Sequence, residues 1–187
     1  MRIISGKFKG KKILEPKDFN TRPLKDLTKE SIFNIIIHSN KFNVKLENSR
    51  ILDLFSGVGC FGLECFSRGS SNITFVENYK NVLPVLKNNI SNLNCEDKAL
   101  IIENDILNQL NFEIFAKKFD IIFMDPPYKE QNLDKIVNNI IEAEILSNEG
   151  IVIIHRHKKE KDKFPDKFRI IEEKTYGISR VFFGTCF

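Results

Sequence analysis

The chain has 187 residues, 42% of them hydrophobic and 29% charged, which is the balance of an ordinary globular domain with one sizeable core. No apolar run approaches the length of a membrane span, and the charged N-terminus lacks the apolar stretch of a signal peptide, so a cytoplasmic protein is the expectation. The net charge is only +4, but residues 1–45 alone hold eleven Lys or Arg against four Asp or Glu, and so basic a front suggests a polyanionic partner.

Residues 2–14 read as a β-hairpin with its turn near Gly6. Arg2, Lys7, Lys9, Lys11 and Lys12 fall there with no acid before Glu15, and such a ribbon suits RNA phosphates, each charge adding salt-sensitive affinity. Residues 17–23 read as loop. Asp26 is placed to cap a helix over Leu27–His38, with Ile32, Phe33, Ile35 and Ile36 on its apolar face and Lys29 and Glu30 on its polar side. A polar connection, 41–50, leads into the main body.

From there strand-like runs alternate with helical patterns. Strands are expected over Ile51–Phe55, Asn72–Glu77, Ala99–Ile102, Ile121–Met124 and Ile151–Ile154, with a closing hairpin of Phe168–Thr175 and Arg180–Phe183. Helices are expected over Cys60–Arg68, closed by Gly69, from a cap at Asn78 to Leu93, over Ile106–Ala116 and over Leu133–Ile145. Pro84 lies inside the second of these and predicts a kink or a delayed start. The alternation predicts an α/β fold: a mostly parallel twisted sheet with helices on both faces and an antiparallel C-terminal hairpin. Residues 1–45 would form a basic hairpin-and-helix extension and 46–187 the main domain.

Two stretches carry chemistry. Gly57-Val58-Gly59-Cys60-Phe61-Gly62 matches G-x-G-x-x-G after the first strand, where glycines let the backbone turn and approach a ligand. Glu77, twenty residues after Gly57 at the end of the second strand, is placed to accept from ribose hydroxyls. Asp53, just inside the first strand's end, would repel a pyrophosphate but welcome a cationic adenosine ligand such as S-adenosylmethionine. Asp105 suits either the adenine amine or the N-cap of the helix expected after it.

The second stretch is Asp125-Pro126-Pro127-Tyr128, at the end of an apolar run of the kind that fills a buried strand. Neither proline can continue a sheet, so a rigid corner lies where ligands bind in open α/β sheets. The Asp125 carboxylate and the fixed Pro126 carbonyl make two adjacent acceptors, which fit the two hydrogens of a nucleobase NH2. Bonding both hydrogens would free the nitrogen lone pair for attack, and Tyr128 offers a face on which a base can stack. The bland alternative is an acidic turn with Tyr128 merely packing.

Cys60, Cys65, Cys95 and Cys186 show no Cys-x-x-Cys pairing and read as reduced core thiols, with no structural metal expected. His155 and His157 flank Arg156 at a strand end, where solvated or base-contacting roles are expected rather than metal ligation.

With these residues assembled, the chain resembles the bacterial 16S ribosomal RNA guanine-N2 methyltransferases of the RsmD type over nearly its full length. The likeness rests on Arg2-Ile3-Ile4-Ser5-Gly6-Lys7-Phe8-Lys9-Gly10, on Thr21-Arg22-Pro23, and on Glu30, Phe33 and Asn34. It continues through Asp53 to Gly59, Gly62-Leu63-Glu64, Ser67-Arg68-Gly69 and Glu77 to Asp125–Tyr128. The resemblance implies a Rossmann-like class I fold and methyl transfer from S-adenosylmethionine to a guanine N2 of 16S RNA, in a small ribosomal subunit or its assembly intermediate; nothing in the sequence demands more than a monomer.

By the same likeness Asp53, Gly57, Gly59, Glu77 and Asp105 would line the cofactor site with Arg22 close by, and Asp125, Pro126 and Tyr128 would hold the guanine. Ser56, Val58, Leu24 and the stretch Ile154-His155-Arg156-His157 depart from the family pattern, the last replacing a usually acidic strand end. The rivals are an adenine-N6 methyltransferase, a protein glutamine methyltransferase, a nicotinamide oxidoreductase suggested by the glycine pattern, and a non-catalytic RNA-binding protein.

Overall fold

A computed structural model describes residues 1–16, 24–127 and 129–186. Arg22 and the rest of Thr21-Arg22-Pro23 lie outside the described residues, as does Tyr128.

The body is one seven-stranded sheet. Its strands are β1 (Arg50–Leu54), β2 (Asn72–Glu77), β3 (Ala99–Glu103), β4 (Phe119–Met124), β5 (Leu146–His157), β6 (Phe168–Tyr176) and β7 (Ser179–Cys186), in the spatial order β3-β2-β1-β4-β5-β7-β6. The first five run parallel, and β7 joins β5 and β6 antiparallel. This is the Rossmann-like, mostly parallel sheet with an antiparallel C-terminal hairpin expected of the sequence, now with its strand order. From β1 the chain steps outward to β2 and β3, then returns to start again at β4, so the strand order reverses between β1 and β4. Ligands bind outside the carboxyl ends of strands at such a reversal.

The helices are α1 (Asp26–His38), α2 (Cys60–Ser67), α3 (Leu83–Asn92) and α4 (Leu133–Glu142). One sheet face, with Ile51, Phe75, Phe123 and Ile153, packs against α1, α2 and α3. The other, with Leu52, Leu54, Ile122, Met124 and Ile154, packs against α4. Phe61 of α2 stacks between Phe33 of α1 (ring centroids 5.1 Å apart) and Phe123 of β4 (4.0 Å), which couples the N-terminal helix to the strand that ends at Asp125.

The N-terminal segment pairs as a hairpin through a single bridge, Arg2 with Lys12, rather than two full strands. Ile3 and Ile13 are buried in the same apolar cluster as the first sheet face. The Glu64 carboxylate of α2 accepts from the amides of Ile4 (2.7 Å) and Ser5 (3.0 Å) and from Arg68 Nε (2.8 Å). Gly6 meets α2 so closely, at a φ of +80°, that a Cβ would stand 1.8 Å from the Ser67 carbonyl oxygen.

Several local expectations need correction. Lys29 is not on the polar side of α1 but wholly buried, its ammonium donating to the Arg2 carbonyl (2.7 Å) and lying 3.6 Å from Glu64 Oε2. Asp26 does not cap that helix: Lys25 precedes it, and Asp26 faces Arg2 and Lys29. Pro84 delays α3 to Leu83, so Asn78 is not its cap. No helix spans Ile106–Ala116, which is a turn followed by a 3-10 turn at Phe112–Ile114. Among the described residues, no helix is long and apolar enough to cross a membrane.

Candidate active site

Period-two alternation sets the site. On β1, β2, β4 and β5 the residues Ile51, Phe75, Phe123 and Ile153 point into one core, and two positions further along stand Asp53, Glu77, Asp125 and His155. Leu54 is level with Val76 and with Met124, and Met124 with Ile154, so these four polar residues gather at the carboxyl ends of four adjacent strands.

Asp53 is 1% exposed, and its Oδ2 accepts from the Gly62 amide in the first turn of α2 (2.9 Å). Burial pushes its carboxyl well above the usual range; the Gly62 bond opposes this, and the nearby charges of Asp125 and Glu77 add to it. A buried carboxylate with two like-charged neighbours is a receptive place for a cation and a hostile one for phosphate.

The glycine turn runs with Gly57 at a φ of +54° and Gly59 at +82°, and a Cβ on Gly57 would meet nothing within 4 Å. The backbone therefore borders open space at Gly57. Gly62 serves packing instead: a Cβ there would come within 2.4 Å of the Phe75 ring. Glu77 ties the turn to β2, accepting from the amides of Gly57 (2.7 Å), Asn78 and Tyr79 (2.9 Å each). Asp105 caps a turn, accepting from the amides of Leu107 and Asn108 and from the Asn108 side chain, which hold its carboxyl below the ordinary range.

This donor set suits a cationic, phosphate-free adenosine ligand. The open space beside Gly57 and the buried Asp53 carboxylate are the observations that fit S-adenosylmethionine.

Asp125 begins where β4 stops, with its side chain 21% exposed. Its Oδ1 lies 2.7 Å from Nδ1 of His155, which is buried. Arg156, 1% exposed, donates to the carbonyls of Pro127 (3.3 Å) and Glu130 (2.7 Å), the segment that follows the corner. Both residues correct the expectation of a solvated strand end, because β5 continues to His157 with β7 covering that edge. Sequence reasoning missed their importance. The signal was the unbroken run Ile151-Val152-Ile153-Ile154, which marks a strand buried on both faces and makes any polar residue continuing it a buried one.

Arg2, Lys7, Lys9, Lys11 and Lys12 are all exposed on the docked hairpin, with the ammoniums of Lys7 and Lys11 each 5.3 Å from the Phe8 ring centroid. Cys60, Cys65 and Cys95 are buried, and burial pushes the Cys60 and Cys95 thiols up to about 12. Among the described residues, no group of three or more His, Cys, Asp or Glu could hold a metal.

The family described as Conserved hypothetical protein 95 matches residues 1–185. YlbH of Bacillus subtilis (strain 168) is 34% identical over 185 residues, covering 97% of this chain and 96% of that one. Ribosomal RNA small subunit methyltransferase D of Buchnera aphidicola subsp. Acyrthosiphon pisum is 32% identical over 184 residues, 98% of this chain and 92% of its own. Among solved structures, HI0767 from Haemophilus influenzae superposes with a TM-score of 0.75 at 27% identity, over 98% of this chain and 96% of that one.

Proposed function

The chain belongs to the RsmD family and is an S-adenosylmethionine-dependent ribosomal RNA methyltransferase, and on that premise we propose that its target is the exocyclic N2 of a guanine in 16S RNA. The observation that carries this reading is the placement of Asp53 and Asp125 on the two strands that flank the sheet's reversal, Asp53 on β1 level with Phe123 and Asp125 just past the end of β4. A buried carboxylate suited to a cation thus stands beside an accessible one suited to an amine.

When bound, S-adenosylmethionine supplies a methyl group already activated by its sulfonium, with a neutral thioether as leaving group. Asp53, the Gly57–Gly59 turn and Glu77 would hold it, with Asp105 toward its adenine and Arg22 near by; Asp105 and Glu77 already serve neighbouring amides, so each would accept with its remaining lone pairs. The protein's own part in the chemistry is positioning and fixed dipoles. Asp125 and the Pro126 carbonyl accept the two hydrogens of the amine and so keep its lone pair free. One of those hydrogens is lost when the methyl arrives, and the Asp125 carboxylate bonded to it is the acceptor for that proton. Tyr128, two residues beyond Pro126 in the sequence, is assigned the stacking face for a guanine swung out of its RNA context. The exposed Arg2, Lys7, Lys9, Lys11 and Lys12 would grip phosphates of a small subunit or its assembly intermediate, with one copy of the chain as the working unit.

The test is methyl transfer to small subunits that lack the modification, followed by mapping of the product. Label on one guanine N2 supports the reading. Label on an adenine N6, or none in the presence of a bound cofactor, contradicts it.

A further inference from the structure

We infer that His155 is a positioning residue for the methyl transfer: its Nδ1–H fixes the rotation of the Asp125 carboxylate, so that Oδ2 and the Pro126 carbonyl face the target amine together. The inference rests on the methyltransferase reading above and adds a residue that the reading does not use.

Asp125 needs such a restraint. It stands beyond the last paired residue of β4, its amide 3.4 Å from the Leu54 carbonyl oxygen. The terminal torsion of an aspartate is broad and nearly two-fold, so the strand alone does not choose which oxygen faces outward. A bond of 2.7 Å from the neighbouring strand to Oδ1 makes that choice and leaves Oδ2 for the substrate.

The burial of His155 says what kind of restraint it is. An ionised carboxylate only accepts, so the shared hydrogen belongs to Nδ1. Nε2 is buried and, among the described residues, has no hydrogen-bond partner. The ring's one hydrogen-bond partner among the described residues is thus the Asp125 carboxylate, with Nδ1 as the donor. An aliphatic side chain would fill the same space without leaving Nε2 unpaired, so packing does not account for an imidazole. Its donor does.

Three substitutions at His155 and imidazole spectra of wild type and Asp125→Asn test this. Steady-state methyl transfer to unmodified small subunits is compared for wild type, His155→Ala, His155→Asn and His155→Gln. Asparagine returns an N–H close to the Nδ1 position, and glutamine returns one near Nε2. Since a misplacement of about 1 Å can cost roughly 10²-fold, His155→Ala should lose roughly 10-fold or more in kcat. Its KM for the cofactor should stay within about twofold, because only the transition-state contact is lost. His155→Asn should recover most of the loss and His155→Gln little of it.

Independently of turnover, the imidazole 15N spectrum of the wild-type protein should show Nδ1 protonated and Nε2 bare, and Asp125→Asn should disturb that pattern. Wild-type kcat in His155→Ala, equal rescue by glutamine and asparagine, or an Nε2–H tautomer overturns the inference alone. Absence of methyl transfer by the wild-type protein overturns the methyltransferase reading and this inference with it.

Discussion

Arg156 and Asp162 form a buried ion pair in which Nε donates to both carboxylate oxygens, at 2.9 and 3.0 Å, and Nη2 lies 2.8 Å from Oδ1. The same guanidinium donates to the carbonyls of Pro127 and Glu130, so one side chain joins the end of β5, the loop beyond it and the backbone after the Asp125-Pro126 corner. A lysine cannot reproduce that planar fork. Arg156→Lys should therefore lose roughly 10-fold in kcat through a displaced corner, while cofactor affinity measured by calorimetry holds. Asp162→Ala strands the buried cation and should cost about 3–5 kcal/mol in a denaturant melt.

Glu64 governs a different part of the molecule. Four groups converge on it: the amides of Ile4 and Ser5, the Arg68 guanidinium and the buried Lys29 ammonium. Glu64→Ala removes the buried carboxylate beside Lys29, leaving its ammonium to the Arg2 carbonyl and the half-exposed Asp26, and should destabilise by about 3–5 kcal/mol. Because the lost amide contacts belong to the basic hairpin, hydrogen exchange over residues 1–14 should rise before that of the sheet. Uniform exchange across the chain would mean the hairpin does not depend on Glu64.

The exposed cations on that hairpin predict a salt signature. Neutralising Lys7, Lys9, Lys11 and Lys12 together should weaken RNA binding, and the slope of log K against log salt should fall by about 0.7–0.9 for each phosphate contact removed. Cofactor binding should not change. An unaltered slope would assign RNA contact to another face.

Asp53 makes a pH prediction of definite sign. Burial raises its folded-state pKa above the ordinary 3.8, so between that value and the raised one the folded protein holds a proton that the unfolded chain has lost. This group's contribution to stability therefore falls as pH rises through the window. Asp53→Asn, which can still accept from the Gly62 amide, should melt increasingly above wild type as pH climbs from about 4. A bound cation would favour the ionised form, so S-adenosylmethionine binding to wild type should release protons within that window, detected by calorimetry in buffers of different ionisation enthalpy. The asparagine variant should bind weakly and without that release.

The sheet was legible because its parallel strands are apolar runs alternating with helices, and Gly57, Glu77 and Asp125 stand out as candidates by type and position. What stayed hidden depended on neighbours remote in sequence. Lys29 stands three and four residues before Ile32 and Phe33, on the buried face of α1, and its charge reads as polar surface by residue type alone until the Arg2 carbonyl, Asp26 and Glu64, thirty-five residues away, are seen around it. His155 and Arg156 read as a polar strand end until β7 is seen to cover it. The helix expected over Ile106–Ala116 failed for a local reason: the side chains of Asp105 and Asn111 bond to nearby amides and offer the backbone turns in its place.

The measurement that bears most directly on the central claim is single-turnover methyl transfer to unmodified small subunits by Asp125→Ala, with cofactor binding measured on the same preparation. Loss of one transition-state hydrogen bond predicts a rate lower by roughly 10²-fold or more, with cofactor affinity close to wild type. A near-normal rate would contradict the account, because the amine would then be held by something other than the Asp125 carboxylate.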